Sequence, residues 1–248
     1  MTEPERASTG GRAYLPGMPA EAPQFLYDVM SRVLGAGPSH RRLVAQAAPP
    51  PGGRVLEIGC GTGNVLAVMA RRHPDAELVG LDPDPAALAR ARTKLPATVR
   101  LEQGFADALP LPDDHVDRVL SSLMFHHLPA DDRPGVLREV RRVLRPGGTV
   151  HIVDMEGERS TGVVARAAGA AMHALSRVQR NGDQGHGHGH GHGGHDEHDH
   201  DLRPQLSPAA DVVTLLTEAG FVDAEVVERR RWVFGTLASY RARVTAAG

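Results

Sequence analysis

From Arg54 onward the apolar residues fall into short runs, separated by longer stretches in which they recur every three or four positions. "RVLEI", "AELVGLD", "TVRLEQG", "HVDRVLSS" and "TVHIVD" are short and rich in Val, Leu and Ile, and they predict five strands. The intervening periodicity predicts helices from Asn64 to about Arg72, over "PAALARARTKL" and over "DDRPGVLREVRRVL". In the last of these Val136, Leu137, Val140, Val143 and Leu144 form one apolar stripe, and "RPGG" stops it. "FADALPLPDD" has neither period and reads as a loop. Short apolar strands alternating with amphipathic helices predict a parallel sheet with helices on both faces.

The flanks read differently. Residues 1–23 are rich in Gly, Pro and charge and read as a flexible arm. "APQFLYDVMSRVLG" has helical spacing, and "SHRRLVAQAA" predicts a second helix with Ser39 as N-cap before the break at "PPPGG". After the fifth strand a helix is expected from about Thr161 to Arg180, followed by a glycine- and histidine-rich stretch over 182–204. "SPAADVVTLLTEAG" then predicts a helix with Ser207 as N-cap, Pro208 in its first turn and Gly220 just past its end. Val212, Leu215, Leu216 and Ala219 form its apolar face. "FVDAEVVERR" and "RWVFGTLASYRARV" predict two final strands, the second long and suited to late antiparallel insertion.

Composition narrows the function. Hydrophobic residues make up 41% and aromatics only 4%, so the core must be built from Val, Leu and Ala. The formal net charge is −2 and no basic run lacks neighbouring acids, which argues against a nucleic-acid partner. The N-terminus has no apolar signal-like region, and "TGVVARAAGAAMHALSRV", interrupted by Arg166, is too short to span a bilayer. A cytoplasmic protein without a membrane span is expected. Cys60 is the only cysteine, so neither an intrachain disulfide nor a cysteine metal site can form. Lys94 is the only lysine.

"VLEIGCGTGN" carries the most chemistry. A strand ends near Glu57, glycines alternate at 59, 61 and 63, and a helix begins at once. Such glycines let a ligand lie against the backbone, outside the carboxyl ends of the strands. The dinucleotide pattern G-x-G-x-x-G fails here: counting from Gly59 the sixth residue is Asn64, and counting from Gly61 it is Leu66. Glu57 beside the loop disfavours a pyrophosphate and suits a ligand with a cation or an amine. Asp82 ends the second strand, where acids hold ribose hydroxyls in either ligand class.

"LEIGCGTGN", "VGLDPDPAALARAR", "QGFADALPLPDDHVDRVLSSLMFHHL" and "EVRRVLRPGGTVHIVD" together resemble the class I S-adenosylmethionine-dependent methyltransferases. The likeness is greatest to the group of ubiquinone/menaquinone biosynthesis C-methyltransferases, whose Tyr-Asp helix "FLYDVMSRVLG" also resembles. It extends from Phe25 to about Asp154 and, more weakly, over "LLTEAGF". The resemblance implies a Rossmann-like, doubly wound α/β fold. Its seven-stranded sheet would be mostly parallel with an antiparallel last strand, preceded by N-terminal helices and carrying a His-rich lid insertion. Residues 24–248 would form one methyltransferase domain. It also implies S-adenosyl-L-methionine as cofactor. Glu57, Gly59, Cys60, Gly61, Gly63 and Asn64 would surround its methionine part, Asp82 would hold the ribose hydroxyls and Pro83 would lie beside the adenine. Ala106 and Asp107 would read the adenine edge, Ser121 and Ser122 would line the methyl side, and Tyr27 would close over the cofactor. Taken singly, Glu57 reads equally well as a cap for a neighbouring helix and Asp107 as a turn residue.

The stretch after the fourth strand, "SSLMFHHLP", is not the Asn/Asp-Pro-Pro-aromatic motif of enzymes that methylate adenine or glutamine nitrogen. One cysteine is too few for an arsenite acceptor. A small organic molecule remains, methylated at oxygen, carbon or nitrogen by in-line displacement. His126 and His127 are the candidate catalytic residues, because neutral imidazole suits a general base. The competing reading, a purely structural helix start, weighs more than the catalytic one on sequence alone.

The tract "GHGHGHGHGGHDEHDHD" holds seven of the chain's 14 histidines: His186, His188, His190, His192, His195, His198 and His200. With the interleaved acids these suit Zn, Ni, Co or Cu. Its place in the chain is that of a lid insertion over the acceptor pocket. The competing reading is a cofactor-binding, metal-responsive regulatory or storage protein that uses this tract.

Overall fold

A computed structural model of the chain describes residues 7–9, 12–14, 36–157, 209–232 and 235–246. The expected helices over 24–35 and 161–180, the tract over 182–204, Tyr27, Ser207 and Pro208 lie outside the described residues. Within the expected arm, β1 (Ala7–Thr9) and β2 (Arg12–Tyr14) pair antiparallel as a two-stranded sheet.

The main sheet has seven strands: β3 (Arg54–Ile58), β4 (Glu77–Asp82), β5 (Arg100–Gln103), β6 (Val116–Ser122), β7 (Leu144–Glu156), β8 (Val222–Trp232) and β9 (Gly235–Arg243). Their order is β5-β4-β3-β6-β7-β9-β8. The first five run parallel, and β9 enters antiparallel between β7 and β8. Only the last strand opposes the other six, as the sequence predicts. The order reverses at β3, which places a crevice above the carboxyl ends of β3, β4 and β6.

Two apolar layers cover the sheet. On one face α1 (Ala36–Ala47), α2 (Asn64–Arg72) and α3 (Pro85–Arg92) bury Leu43, Val44, Val65, Leu66, Met69 and Leu88 against Val55, Leu78 and Leu120. On the other, α4 (Arg133–Val143) and α5 (Ala209–Glu218) bury Val136, Leu137, Val140, Val212 and Leu216 against Leu56, Val119, Ile152 and Tyr240. The predicted stripe of α4 is wholly buried. Burial of such side chains stabilises by about 1.5–3 kcal/mol each.

Local signals set most helix ends. Asp84 caps α3 by accepting the Ala86 amide at 2.8 Å, and Pro85 occupies the first helical position, where no amide is needed. Gly220 ends α5 with a positive φ of 86°. Its amide donates to the Thr217 carbonyl at 2.9 Å and that of Phe221 to Leu216 at 3.1 Å, a Schellman arrangement.

Three boundaries move. α1 begins at Ala36, so Ser39 is an interior residue and not the N-cap. β7 starts at Leu144, because "RPGG" does not leave the ladder. It forms a bulge: the register with β6 passes from Val116↔Leu144 to Arg118↔Thr149. "RW" at 231–232 belongs to β8, whose pairing with β9 continues to Trp232↔Gly235.

Candidate active site

Each parallel strand at the centre delivers its functional group at its carboxyl end. β3 ends in Glu57 and Ile58, and the chain enters the glycine loop with positive φ at Gly59 (66°), Gly61 (50°) and Gly63 (76°). Left-handed backbone is inexpensive only for glycine. A Cβ at Gly59 would fall 2.2 Å from Met124 Cγ, so the loop after β6 packs directly on it. A Cβ at Gly61 would meet nothing within 4 Å among the described residues, which leaves space there that a ligand can fill.

Glu57 is 1% exposed. The Leu66 amide in the first turn of α2 faces the carboxyl and favours its ionised form. One oxygen, Oε2, is buried with no partner among the described residues. Burial, aided by the nearby Asp82 charge, pushes the carboxyl well above its usual range. Asp82 ends β4, with Oδ2 accepting the Gly61 amide at 2.7 Å and Oδ1 accepting the Asp84 amide at 2.9 Å. A carboxylate has about four acceptor positions, so each oxygen keeps one for a further donor. Burial raises its pKa to about 6, against the opposing pull of the two amides.

Ala106 and Asp107 lie half-buried in the loop after β5. α4 staples this loop: Leu109 donates its amide to Glu139 at 3.0 Å. The Arg142 guanidinium donates to the Leu109 and Leu111 carbonyls at 3.1 and 2.9 Å, and it pairs with Glu139 and Asp113 at 2.8 and 2.7 Å.

After β6, Leu123 adopts φ 56°, a left-handed conformation costly for a branched side chain. The chain then turns through a short 3₁₀ segment, Phe125–His127. His126 is 7% exposed. Its Nδ1 lies 2.5 Å from Asp154 Oδ1, and its amide donates to Asp154 Oδ2 at 2.8 Å. The His127 ring lies against it, with centroids 4.1 Å apart. Asp154 lies near the end of β7, 4% exposed, and also accepts the Met155 amide at 2.7 Å.

The sequence-predicted residues therefore divide. Glu57, Gly59, Gly61, Gly63, Asn64, Asp82 and Pro83 converge on the glycine loop and the end of β4. Cys60 contributes only backbone: its thiol is buried in the α2 layer, Sγ would meet a Cβ on Gly80 at 2.9 Å, and burial pushes its pKa well up. Ser121 is fully buried in the row Ile58–Ser121–Ile152, with Oγ unbonded, so of the two serines only the half-buried Ser122 is partly exposed at the strand end. Sequence reasoning missed Asp154. Its signal was the one that marked Glu57 and Asp82: an acid at the carboxyl end of a predicted strand.

The site fits S-adenosylmethionine. The unpartnered Glu57 oxygen, the spare acceptor positions of Asp82 and the open cradle at Gly61 complement its amine, its ribose diol and its backbone-hugging chain. Residues 55–148 match the model of a family described as a methyltransferase domain. Over these residues the chain is similar to methyltransferases. A demethylmenaquinone methyltransferase of Symbiobacterium thermophilum is 32% identical over 154 residues, 54% of this chain and 61% of that protein. A malonyl-[acyl-carrier protein] O-methyltransferase of Halorhodospira halophila is 38% identical over 133 residues, 53% of this chain and 44% of that protein. The chain thus spans about half the length of the curated relatives it matches. A crystal structure of an S-adenosylmethionine-dependent methyltransferase from Aquifex aeolicus has the same fold, with TM-score 0.59 and 18% identity, covering 90% of this chain and 96% of that one. Among the described residues no group of three or more His, Cys, Asp or Glu side chains is placed to hold a metal, and no helix is long and apolar enough to cross a membrane.

Proposed function

We propose that the chain is an S-adenosylmethionine-dependent methyltransferase of a small organic acceptor, with His126 as general base and Asp154 as its orienting carboxylate. The observation that carries this is the buried contact of 2.5 Å between His126 Nδ1 and Asp154 Oδ1, in the turn after β6 whose Met124 packs on Gly59. When Nδ1–H donates to the carboxylate, the imidazole lone pair is left on Nε2. That nitrogen takes the proton from an acceptor hydroxyl, amine or acidic carbon as it attacks, and Asp154 stabilises the imidazolium that results. The two amides held by Asp154 keep its own position fixed. His127 packs on the base and helps to exclude water. Asp82 takes the ribose hydroxyls, Ala106 and Asp107 the adenine edge, and the glycine loop the methionine chain. The bound cofactor supplies an electrophilic methyl carbon on its sulfonium.

The match to a demethylmenaquinone methyltransferase supports a quinone-type acceptor in its reduced form. Similar identity to an O-methyltransferase means that the attacking atom is assigned to neither carbon nor oxygen. The test is methyl transfer to a panel of reduced demethylated quinones. His126→Ala should lower turnover by about 10²- to 10⁴-fold while S-adenosylhomocysteine affinity is kept. Wild-type turnover in that variant would remove His126 from the mechanism.

We further infer that the histidine tract binds a divalent metal such as Zn, Ni, Co or Cu independently of the cofactor. The motivation is its composition, since all seven histidines fall outside the cofactor motifs. Replacing 185–201 by a short Gly/Ser linker should abolish retention on immobilised nickel and leave cofactor affinity unchanged. Loss of cofactor binding would place the tract in the site instead.

A further inference from the structure

The structure assigns to Lys94 the role of positioning the glycine loop for the cofactor. The inference rests on the cofactor reading above. Lys94 follows α3, and its Nζ donates to Thr62 Oγ1 and to Asn64 Oδ1, both at 3.0 Å. These two residues flank Gly63, the left-handed residue on which the chain swings into α2. One ammonium thus ties the last turn of the loop to the end of the neighbouring helix.

The approach is close because Gly63 permits it. A Cβ there would fall 2.7 Å from Leu95 Cδ1 and 3.2 Å from Ala91 Cβ, so the loop lies directly on the end of α3. Thr62 is 2% exposed, which fixes one of the two acceptors in the interior. The cation lies between two helix ends, just past the carboxyl end of α3 and beside the amino end of α2. α2 and α3 carry their other basic residues in their last turns, Arg71 and Arg72 in the first and Arg90 and Arg92 in the second, where the dipole is favourable. Lys94 likewise follows the carboxyl end of α3, and its ammonium reaches across to Thr62 and Asn64 at the amino end of α2. Its charge also acts on the buried Glu57 carboxyl, drawing its pKa down against the burial that raises it. The rest of the chain uses arginine for its cations; the only lysine, with its compact ammonium and three tetrahedral donors, is at this junction.

Lys94 is thus a positioning residue. It holds Thr62 and Asn64 so that the amides and open face of Gly61 stay aligned. The test is calorimetric titration of S-adenosylhomocysteine into the wild-type chain, Lys94→Met, Lys94→Arg and the exposed control Arg92→Met, with thermal melts of each. Lys94→Met should bind about tenfold or more weakly. Lys94→Arg should recover part of that loss, and Arg92→Met should match the wild type. An affinity for Lys94→Met within about twofold of wild type, or an equal loss in Arg92→Met, would overturn the assignment. If Lys94→Met fails to fold, acetylation of the folded wild-type chain, read on the tryptic peptide 93–100, makes the same test: the acetylated protein should show the same weakening, and unchanged affinity would overturn the role. Absence of binding by the wild-type chain would overturn the cofactor reading and this inference with it, whereas equal affinities overturn the inference alone.

Discussion

Asp82 shows how one side chain links folding to ligand binding. Two backbone amides already bind its oxygens, so the residue builds the loop that it also uses. Burial holds its pKa at about 6, above its ordinary 3.8. Between those values the folded state holds a proton that the unfolded chain has released. The sign follows: this group favours the folded state most below pH 3.8, and its contribution is lost as pH rises through about 6. In the proposed cofactor complex the ionised form is the one that would accept two ribose hydroxyls. S-adenosylhomocysteine affinity should therefore rise as pH increases through about 6, and Asp82→Asn should flatten that rise. Asp82→Ala should weaken binding by about 1.5–3 kcal/mol, the scale of hydrogen bonds to a charged group. Calorimetry across this pH range checks both, and a wild-type profile in Asp82→Asn would assign the titration to another group.

At the scale of elements, the loop over residues 105–114 has no regular structure of its own, and its shape comes from α4. Arg142 is the staple. It is half-exposed, yet it binds two loop carbonyls and two carboxylates at once, and those carboxylates hold it fully charged. Arg142→Gln should release the loop, weaken cofactor binding by about 1–2 kcal/mol and leave the sheet intact, which faster amide exchange confined to Leu109 and Leu111 would reveal. Equal protection in wild type and variant would show that packing of Leu109 and Leu111 suffices. This staple also marks the limit of what the sequence discloses. Strands, helices and the acids at strand ends were legible because they follow the chain's own period and the residue type at the end of each run. The stripe of α4 and the turn at Gly220 appear where the pattern puts them. Contacts between segments far apart in sequence were not legible: His126 to Asp154 spans 28 residues, Lys94 to Thr62 spans 32 and Arg142 to Leu109 spans 33. Nor could the pattern tell that the thiol of Cys60 and the hydroxyl of Ser121 turn into the core, because glycine-rich turns and strand ends carry no side-chain period. The start of α1 at Ala36 was missed for a related reason: its first turn, "AGPS", contains a glycine and a proline that read as breakers, although proline is tolerated before amides are needed.

On the scale of the whole molecule, buried ionisable groups on one face of the sheet oppose each other. His151 on β7 is 2% exposed, with Nε2 bonded to Thr149 Oγ1 at 2.9 Å. Burial, with Arg118 and Arg241 nearby, lowers its pKa to about 3. His40 on α1 is lowered to about 4 by burial, with Lys94 and Arg41 adding to the effect. Both are neutral in the folded chain and protonate in the unfolded one near 6.5. Their contribution is complete above pH 6.5 and is lost as pH falls toward 4 and then 3. Glu57 and Asp82 act the other way, because their raised values make the folded state the better proton binder in the same window. The two pairs thus compensate: as acid is added, the unfolded chain gains protons on histidine while the folded chain gains or retains them on carboxyl groups. Removing one side should expose the other. In His151→Gln, stability relative to wild type should improve steadily as pH is lowered from 7 to 4.5. In Asp82→Asn the relative stability should fall over that interval, since the folded state has lost a proton acceptor. Urea midpoints measured at half-unit steps of pH resolve the two slopes, and parallel curves for wild type and His151→Gln would mean that this histidine is protonated in the folded state and that its enclosure by β6, β7 and β9 is looser than the structure indicates.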